Sequence, residues 1–249
     1  MIRFSARLLT VLAFGLALCS PQDALAQSLN VDFGQGGSGT TSHLVQLTAL
    51  VTMLSLAPSL LVMVTAFTRI IIVLSLVRSA LGAQGTPPNT VLIGLALFLT
   101  LFVMQPVFDR SWTEGLAPMM AGKIGELDGL QAAAEPFRAF MLAHVRTADL
   151  STFLDLAHLP HPLHPSETPW RALMPAFMIG ELRRGFEMGF LLYLPFLIID
   201  LVVSSVLMSL GMMMLPPSTV SLPFKLIFFV MVDGWQLVSG SLVRSFGMG

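Results

Sequence analysis

Phe190-Leu191-Leu192-Tyr193-Leu194-Pro195-Phe196-Leu197-Ile198-Ile199-Asp200-Leu201-Val202-Val203 and, a few residues on, Leu207-Met208-Ser209-Leu210-Gly211-Met212-Met213-Met214-Leu215-Pro216-Pro217 decide how the chain is read. The apolar run from Phe186 to Leu215 exceeds the ~20 residues that cross a hydrocarbon core of ~30 Å as a helix. Pro216-Pro217 ends it, because proline fixes φ and has no N–H to continue a helix. A second run, Leu222 to Val243, returns. Two apolar helices joined by a tight break form a hairpin.

The same pattern occurs upstream. Leu44 to Leu81 is apolar and interrupted by Pro58, with Arg69 and Arg78 marking its far end. Gly82 to Asn89 contains Pro87-Pro88 and reads as a turn. Thr90 to Phe108 is a second arm of 19 residues. Hydropathy alone therefore assigns four spans.

Between the hairpins the composition changes. The chain of 249 residues is 55% hydrophobic and 11% charged, against about 25% charged in a soluble domain. Most of its charge lies between Asp109 and Arg184. There Phe137, Met141 and Val145 recur every fourth residue with Arg138 and Arg146 off that face, which predicts an amphipathic helix with Pro136 in its first turn. Pro160 to Pro169 reads as a loop. The organisation is thus 44–108 first hairpin, 109–185 polar helical middle region outside the membrane, and 186–249 second hairpin. The fold class is all-α, membrane-integral.

The first residues read as a secretory signal, residues 1–26. Arg3 and Arg7 precede an apolar run of 11 residues, Leu8 to Leu18, too short to span a bilayer, and Ala24-Leu25-Ala26 offers a small-x-small cleavage site before Gln27. Residues 27–43 read as a flexible mature N-terminus rich in Gly, Ser and Thr. The one cysteine, Cys19, permits no intrachain disulfide. Leu18 before it is a poor match to a lipoprotein site. The net charge of −1 gives no bulk attraction for nucleic acid.

Charges in apolar segments are costly and face protein or a water-filled cavity. Asp200, Lys225 and Asp233 are such charges. Asp200 reads either as a buried structural pair with Lys225, within or between chains, or as part of an ion path. As a titrating carboxylate it would suit a small-ion or solute transporter. Paired with Asp233 it would resemble an intramembrane aspartyl protease dyad, but Val232-Asp233-Gly234-Trp235 lacks the Gly-x-Gly-Asp of such enzymes. Glu181, Arg183, Arg184 and Glu187 read as a solvated or interface face. Gly185 and Gly189 form a G-x-x-x-G pair that permits close helix approach.

Met212, Met213 and Met214 cannot all share one helix face. They are either apolar filler at a helix end or, where several copies meet on an axis, an adaptable constriction of soft side chains. His158, His161 and His164 lie among prolines that preclude a continuous helix and read as loop residues, with no metal or cofactor implied. No phosphate loop or nucleophile elbow is present, and no catalytic residue is assigned.

Taken together these segments resemble the FliP family. The two stretches quoted first carry the resemblance. So do Ser221-Leu222-Pro223-Phe224-Lys225-Leu226, Val232 to Trp235, Glu135-Pro136-Phe137-Arg138 to Leu150, and Phe67-Thr68-Arg69. The likeness extends over roughly residues 44–245. It implies a non-enzymatic pore subunit of the flagellar type III export gate. Five copies would form a ring with FliQ and FliR, alongside FlhA and FlhB, passing unfolded flagellar cargo at the bacterial inner membrane within the basal body. The cleavable signal favours this flagellar branch over the injectisome homologues. The resemblance also implies that the hairpins are kinked and tilted in a helical cone, much of it above the membrane plane, in place of four lipid-facing spans. By the same resemblance Met212, Met213 and Met214 line the constriction, and Glu181, Asp200 and Lys225 serve subunit contact and gating. The Pro/His-rich loop, 158–169, departs from the family pattern.

Overall fold

A computed structural model describes residues 47–48, 51–52, 55, 59, 62–83, 85–162, 164, 167–212 and 214–247. The chain divides into two compact units, Met1–Met53 and Leu54–Gly249. Only four residues of the first are described, all helical. The signal segment, with Ala26 and Gln27, lies outside the described residues.

The second unit is helical throughout its regular elements. Helix α1 is Phe67–Leu81. Helix α2, Asn89–Arg110, continues through a π-helical turn, Ser111–Leu116, into the short α3, Ala117–Met120. Then come α4, Glu126–His144, and α5, Thr147–Leu156. The longest, α6, is Trp170–Ser209, followed by α7, Pro217–Met231, and α8, Gly234–Arg244.

The first arm is not one continuous helix. It breaks at Thr65–Ala66, where the Phe67 amide donates to Thr65 Oγ1 at 3.3 Å and Thr68 Oγ1 donates to the Val62 carbonyl at 2.8 Å. Those side-chain bonds offer the backbone an alternative to the helical ladder. Gly82, with φ 68°, ends α1 in the left-handed conformation open to glycine. Arg78 fastens the turn by donating to Asn89 Oδ1.

Helix α1 buries Ile70, Val73, Leu74, Val77 and Leu81, and α2 buries Leu92, Ala96, Leu99 and Val103. These 3- and 4-residue spacings make one stripe per helix. Phe196 of α6, Phe229 of α7, and Val238 and Leu242 of α8 complete the core.

Beyond the sequence expectation, α6 begins in the polar region at Trp170 and runs 40 residues without a break. The boundary drawn at residue 185 falls inside it. Similarly, α4 begins at Glu126, so Pro136 sits in the helix interior and not in its first turn. Gly125 precedes that helix, and Glu126 and Asp128 in its first turn complement the positive end of its dipole. The proline forfeits one backbone bond, and tertiary packing outweighs it. The π-helical turn is held against α4: Ser111 Oγ donates to the Ala133 carbonyl at 2.7 Å, and a Cβ on Gly115 would lie 2.3 Å from the Ala133 amide nitrogen.

Two helices, Asn89–Met120 and Trp170–Ser209, are long and apolar enough to cross a membrane. The α7–α8 pair, bent by 62° at Val232–Asp233, makes a third if counted as one span. That bend divides what the sequence presents as a single return arm. Four straight spans are therefore not what the described residues form.

Candidate functional site: a two-ended ion-pair frame and an exposed methionine tip

Helices α1 and α6 run parallel. Arg69 meets Glu181, Ile72 lies against Gly185, and Leu76 lies against Gly189, so sequence position rises together on both. The two glycines make this approach possible. A Cβ on Gly185 would sit 3.2 Å from Ile72, and one on Gly189 would sit 2.3 Å from Leu76 Cδ1. The G-x-x-x-G face thus packs within the chain.

At one end of this interface the Arg69 guanidinium grips Glu181 with two bonds, Nε to Oε2 at 2.8 Å and Nη2 to Oε1 at 2.5 Å. Its remaining nitrogen, Nη1, donates to the Ser245 carbonyl at 3.0 Å and to Ser245 Oγ at 2.9 Å. The Phe246 ring stacks 3.7 Å from the guanidinium carbon. The fork of Arg matches a carboxylate bidentately, and lysine could not reproduce it. Helix α1, helix α6 and the chain after α8 are joined at one side chain. Glu181 is 0% exposed, so of the two readings of this face, solvated or interface, it lies at an interface between helices of one chain. Arg183 is exposed. In the sequence Arg69 marks a boundary and carries part of the family resemblance, and an arginine beside Ile70-Ile71-Ile72-Val73 already signals a buried partner.

At the other end Lys225 of α7 donates to Asp200 Oδ2 of α6 at 2.6 Å and to the Ala80 carbonyl at 3.0 Å. Ser221 Oγ donates to the other oxygen, Asp200 Oδ1, at 2.6 Å. The lysine therefore caps the C-terminus of α1, where exposed carbonyls carry partial negative charge, while Asp200 balances it. This pairing is within one chain. Asp233 does not join it. It is exposed on the surface of the single chain, and its φ of 51° starts α8 in the left-handed region. Its short polar side chain tolerates that conformation better than most.

Past Gly189, α6 runs on for about 20 residues, whereas α1 ends five residues after Leu76. At 1.5 Å per residue the second hairpin projects roughly 20 Å further. Its tip is built from glycine and proline. The Gly211 amide donates to the Met208 carbonyl at 3.1 Å and the Met212 amide to the Leu207 carbonyl at 3.0 Å. With Gly211 at φ 73°, this is a Schellman stop. Pro216 and Pro217 then open α7. Between them Met212 is 43% and Met214 99% exposed. Met213 lies outside the described residues.

The histidines serve the loop. His158, at φ 53°, ends α5 in the same left-handed manner. His161 Nε2 lies 3.1 Å from Asp155 Oδ1, both exposed.

These features define an all-helical protein with membrane-length apolar helices, braced by internal ion pairs and carrying an apolar tip. The FliP family profile matches residues 50–242. The chain is 54% identical over 245 residues to a flagellar biosynthetic protein FliP of Caulobacter vibrioides (strain ATCC 19089 / CIP 103742 / CB 15), covering 98% of this chain and 92% of the relative. It is 44% identical over 248 residues to that of Rhizobium meliloti (strain 1021), covering 99% and 100%. Against that of Bacillus subtilis (strain 168) it is 49% identical over 214 residues, covering 86% and 97%. The chain belongs to the FliP family. That family is one of flagellar biosynthetic components and not of enzymes.

Proposed function

We propose that this chain is a pore subunit of the flagellar type III export gate, assembling as a five-membered ring with FliQ and FliR and acting beside FlhA and FlhB. It conducts unfolded flagellar subunits across the bacterial inner membrane within the basal body, after removal of its signal peptide at Ala26–Gln27. Met212, Met213 and Met214 form the constriction.

The observation that carries this reading is the projecting tip on an uncovered helix. Only 11% of the most apolar stretch of α6 is buried within the chain, with Phe190, Leu191, Ile198 and Leu201 all more than half exposed. Lipid can cover one side of such a helix. An apolar tip carrying a fully exposed methionine calls for neighbours. Copies arranged about an axis bring these tips together, and a ring of soft apolar side chains closes a pore by dewetting and packing. One ion pair braces α1 against α6 and the other joins the two arms of the second hairpin, while the flexible methionines adapt to cargo.

The competing readings of Asp200 and Asp233 find no support. Asp200 has both oxygens committed to Lys225 and Ser221, and Asp233 is exposed at a helix start. Co-expression with FliQ and FliR, followed by purification in detergent, tests assembly, with a large stable oligomer expected. Single-channel recording on the reconstituted complex tests the tip. Triple replacement of Met212, Met213 and Met214 by Ala opens a small-solute leak, and an unchanged conductance would exclude the gate role.

A further inference from the structure

Sulfur is concentrated at the end of the second hairpin. Met208, Met212, Met213 and Met214 fall within seven residues. Met214 is 99%, Met208 61% and Met212 43% exposed, whereas Met104 and Met141 are 0% exposed within the packed helices. The surroundings of this sulfur are poor in polar partners. The amides of Gly211, Met212, Leu215 and Thr219 donate to the carbonyls of Met208, Leu207, Met212 and Pro216, and Pro216 and Pro217 have no N–H. No charged residue stands between Asp200 and Lys225 in the sequence. A new oxygen formed on a tip sulfur would find those donors taken and turn to water.

A thioether takes such an oxygen from a hydroperoxide. The sulfur lone pair attacks the terminal oxygen, the S–O bond forms as the O–O bond breaks, and the hydrogen left on that oxygen passes to the leaving oxygen. Sulfur is oxidised by two electrons and hydrogen peroxide is reduced to water. The reaction needs no neighbouring acid or base, only that oxidant and sulfur meet, so exposure selects the tip over Met104 and Met141. The product, methionine sulfoxide, is polar and disrupts methionine-rich contacts, and reductases reverse it. A seal that works by dewetting needs apolar walls, and a sulfoxide is not one.

We propose that Met212, Met213 and Met214 are a modification site: hydroperoxides convert them to sulfoxides, and the oxidised tip passes water and small solutes until it is reduced again. This inference rests on the constriction reading given above. Gathering the tips about an axis does not hide them from the oxidant, because a closed constriction still borders water at its two mouths and hydrogen peroxide is a small, water-like molecule. Leucine keeps nearly the volume of methionine without a sulfur to oxidise, so it separates the sealing task from the redox one.

The test uses the complex with FliQ and FliR, reconstituted in a planar bilayer and treated with dilute hydrogen peroxide. Mass spectrometry of its peptides is expected to show sulfoxide at the tip while Met104 and Met141 stay unmodified. A small-solute leak appears on the same time course, and added methionine sulfoxide reductases for both epimers close it. The triple variant Met212→Leu, Met213→Leu, Met214→Leu stays sealed under peroxide. Replacing Met120 and Met231, 73% and 80% exposed and away from the tip, by Leu leaves the response intact. Sulfoxide at the tip without a leak overturns the proposal, as do an unmodified tip, a leak that the reductases do not close, and a leak that persists in the tip Leu variant. The Ala triple variant separates these failures from failure of the gate reading. If it leaks without peroxide while the oxidised tip stays sealed, only the redox inference falls, and if it conducts no more than the unsubstituted complex, both fall.

Discussion

Arg69 and Glu181 face each other across the α1–α6 interface with side chains 1% and 0% exposed. A pair so buried is costly to form and more costly to break, because removing one partner strands the other charge away from water.

Arg69→Ala and Glu181→Ala are each expected to destabilise the chain by about 3–5 kcal/mol, read as a lower melting midpoint and reduced accumulation in membranes. Arg69→Lys is expected to fail nearly as badly, since lysine cannot hold Glu181 and Ser245 together. The double replacement Arg69→Met with Glu181→Leu recovers most of the loss. If the doubly apolar variant were no better than the single ones, the pair would not be the source of the effect.

The glycine register predicts a compensating pair. Gly189→Leu forces α1 and α6 apart at Leu76 and costs about 1–3 kcal/mol by overpacking. Leu76→Ala in the same chain is expected to restore part of it, with a coupling above ~0.5 kcal/mol in a double-mutant cycle. Gly115→Ala should be worse than Gly189→Ala, because the added carbon meets the Ala133 backbone and not a side chain that can rotate.

Lys225 has two tasks, so reversing the pair should not restore it. Lys225→Met leaves Asp200, a third exposed, with only Ser221 and leaves the Ala80 carbonyl without its cation, a loss of about 1–3 kcal/mol. The swap Asp200→Lys with Lys225→Asp rebuilds an ion pair but puts a carboxylate against the C-terminus of α1, the unfavourable end of its dipole. Unfolding midpoints of the three variants in detergent decide this. Full recovery by the swap would show that the Ala80 contact contributes nothing.

At the α7–α8 bend, Asp233→Asn or Asp233→Gly should be near neutral. Asp233→Val should cost about 1–2 kcal/mol, because a β-branched residue resists φ near +50°. Melting curves for the three suffice. Equal midpoints would argue that the bend relaxes without effort.

Much of this frame could be read from residue order. The Pro-Pro breaks at 87–88 and 216–217 and the long apolar arms give both hairpins. Asp200 and Lys225, isolated in apolar surroundings, point to one another. What was not legible came from contacts between distant segments. Hydropathy registers Glu181 as polar and cannot see that Arg69 lies opposite it. The break at Thr65–Ala66 rests on two threonine side chains that bond to nearby backbone. The π-helical turn at Ser111–Leu116 depends on Ala133 packing against Gly115. Asp233 has apolar neighbours in sequence, yet it lies at the exposed α7–α8 bend of the single chain.

The parallel pairing of α1 with α6 also sets a schedule. Arg69 precedes Glu181 by 112 residues, and synthesis at about 5–20 residues per second puts roughly ten seconds between them. Throughout that interval the arginine is already made, followed by three isoleucines, and its acid does not yet exist. Insertion of the first hairpin must therefore either wait or be chaperoned, and the completed chain locks retroactively when the sixth helix arrives.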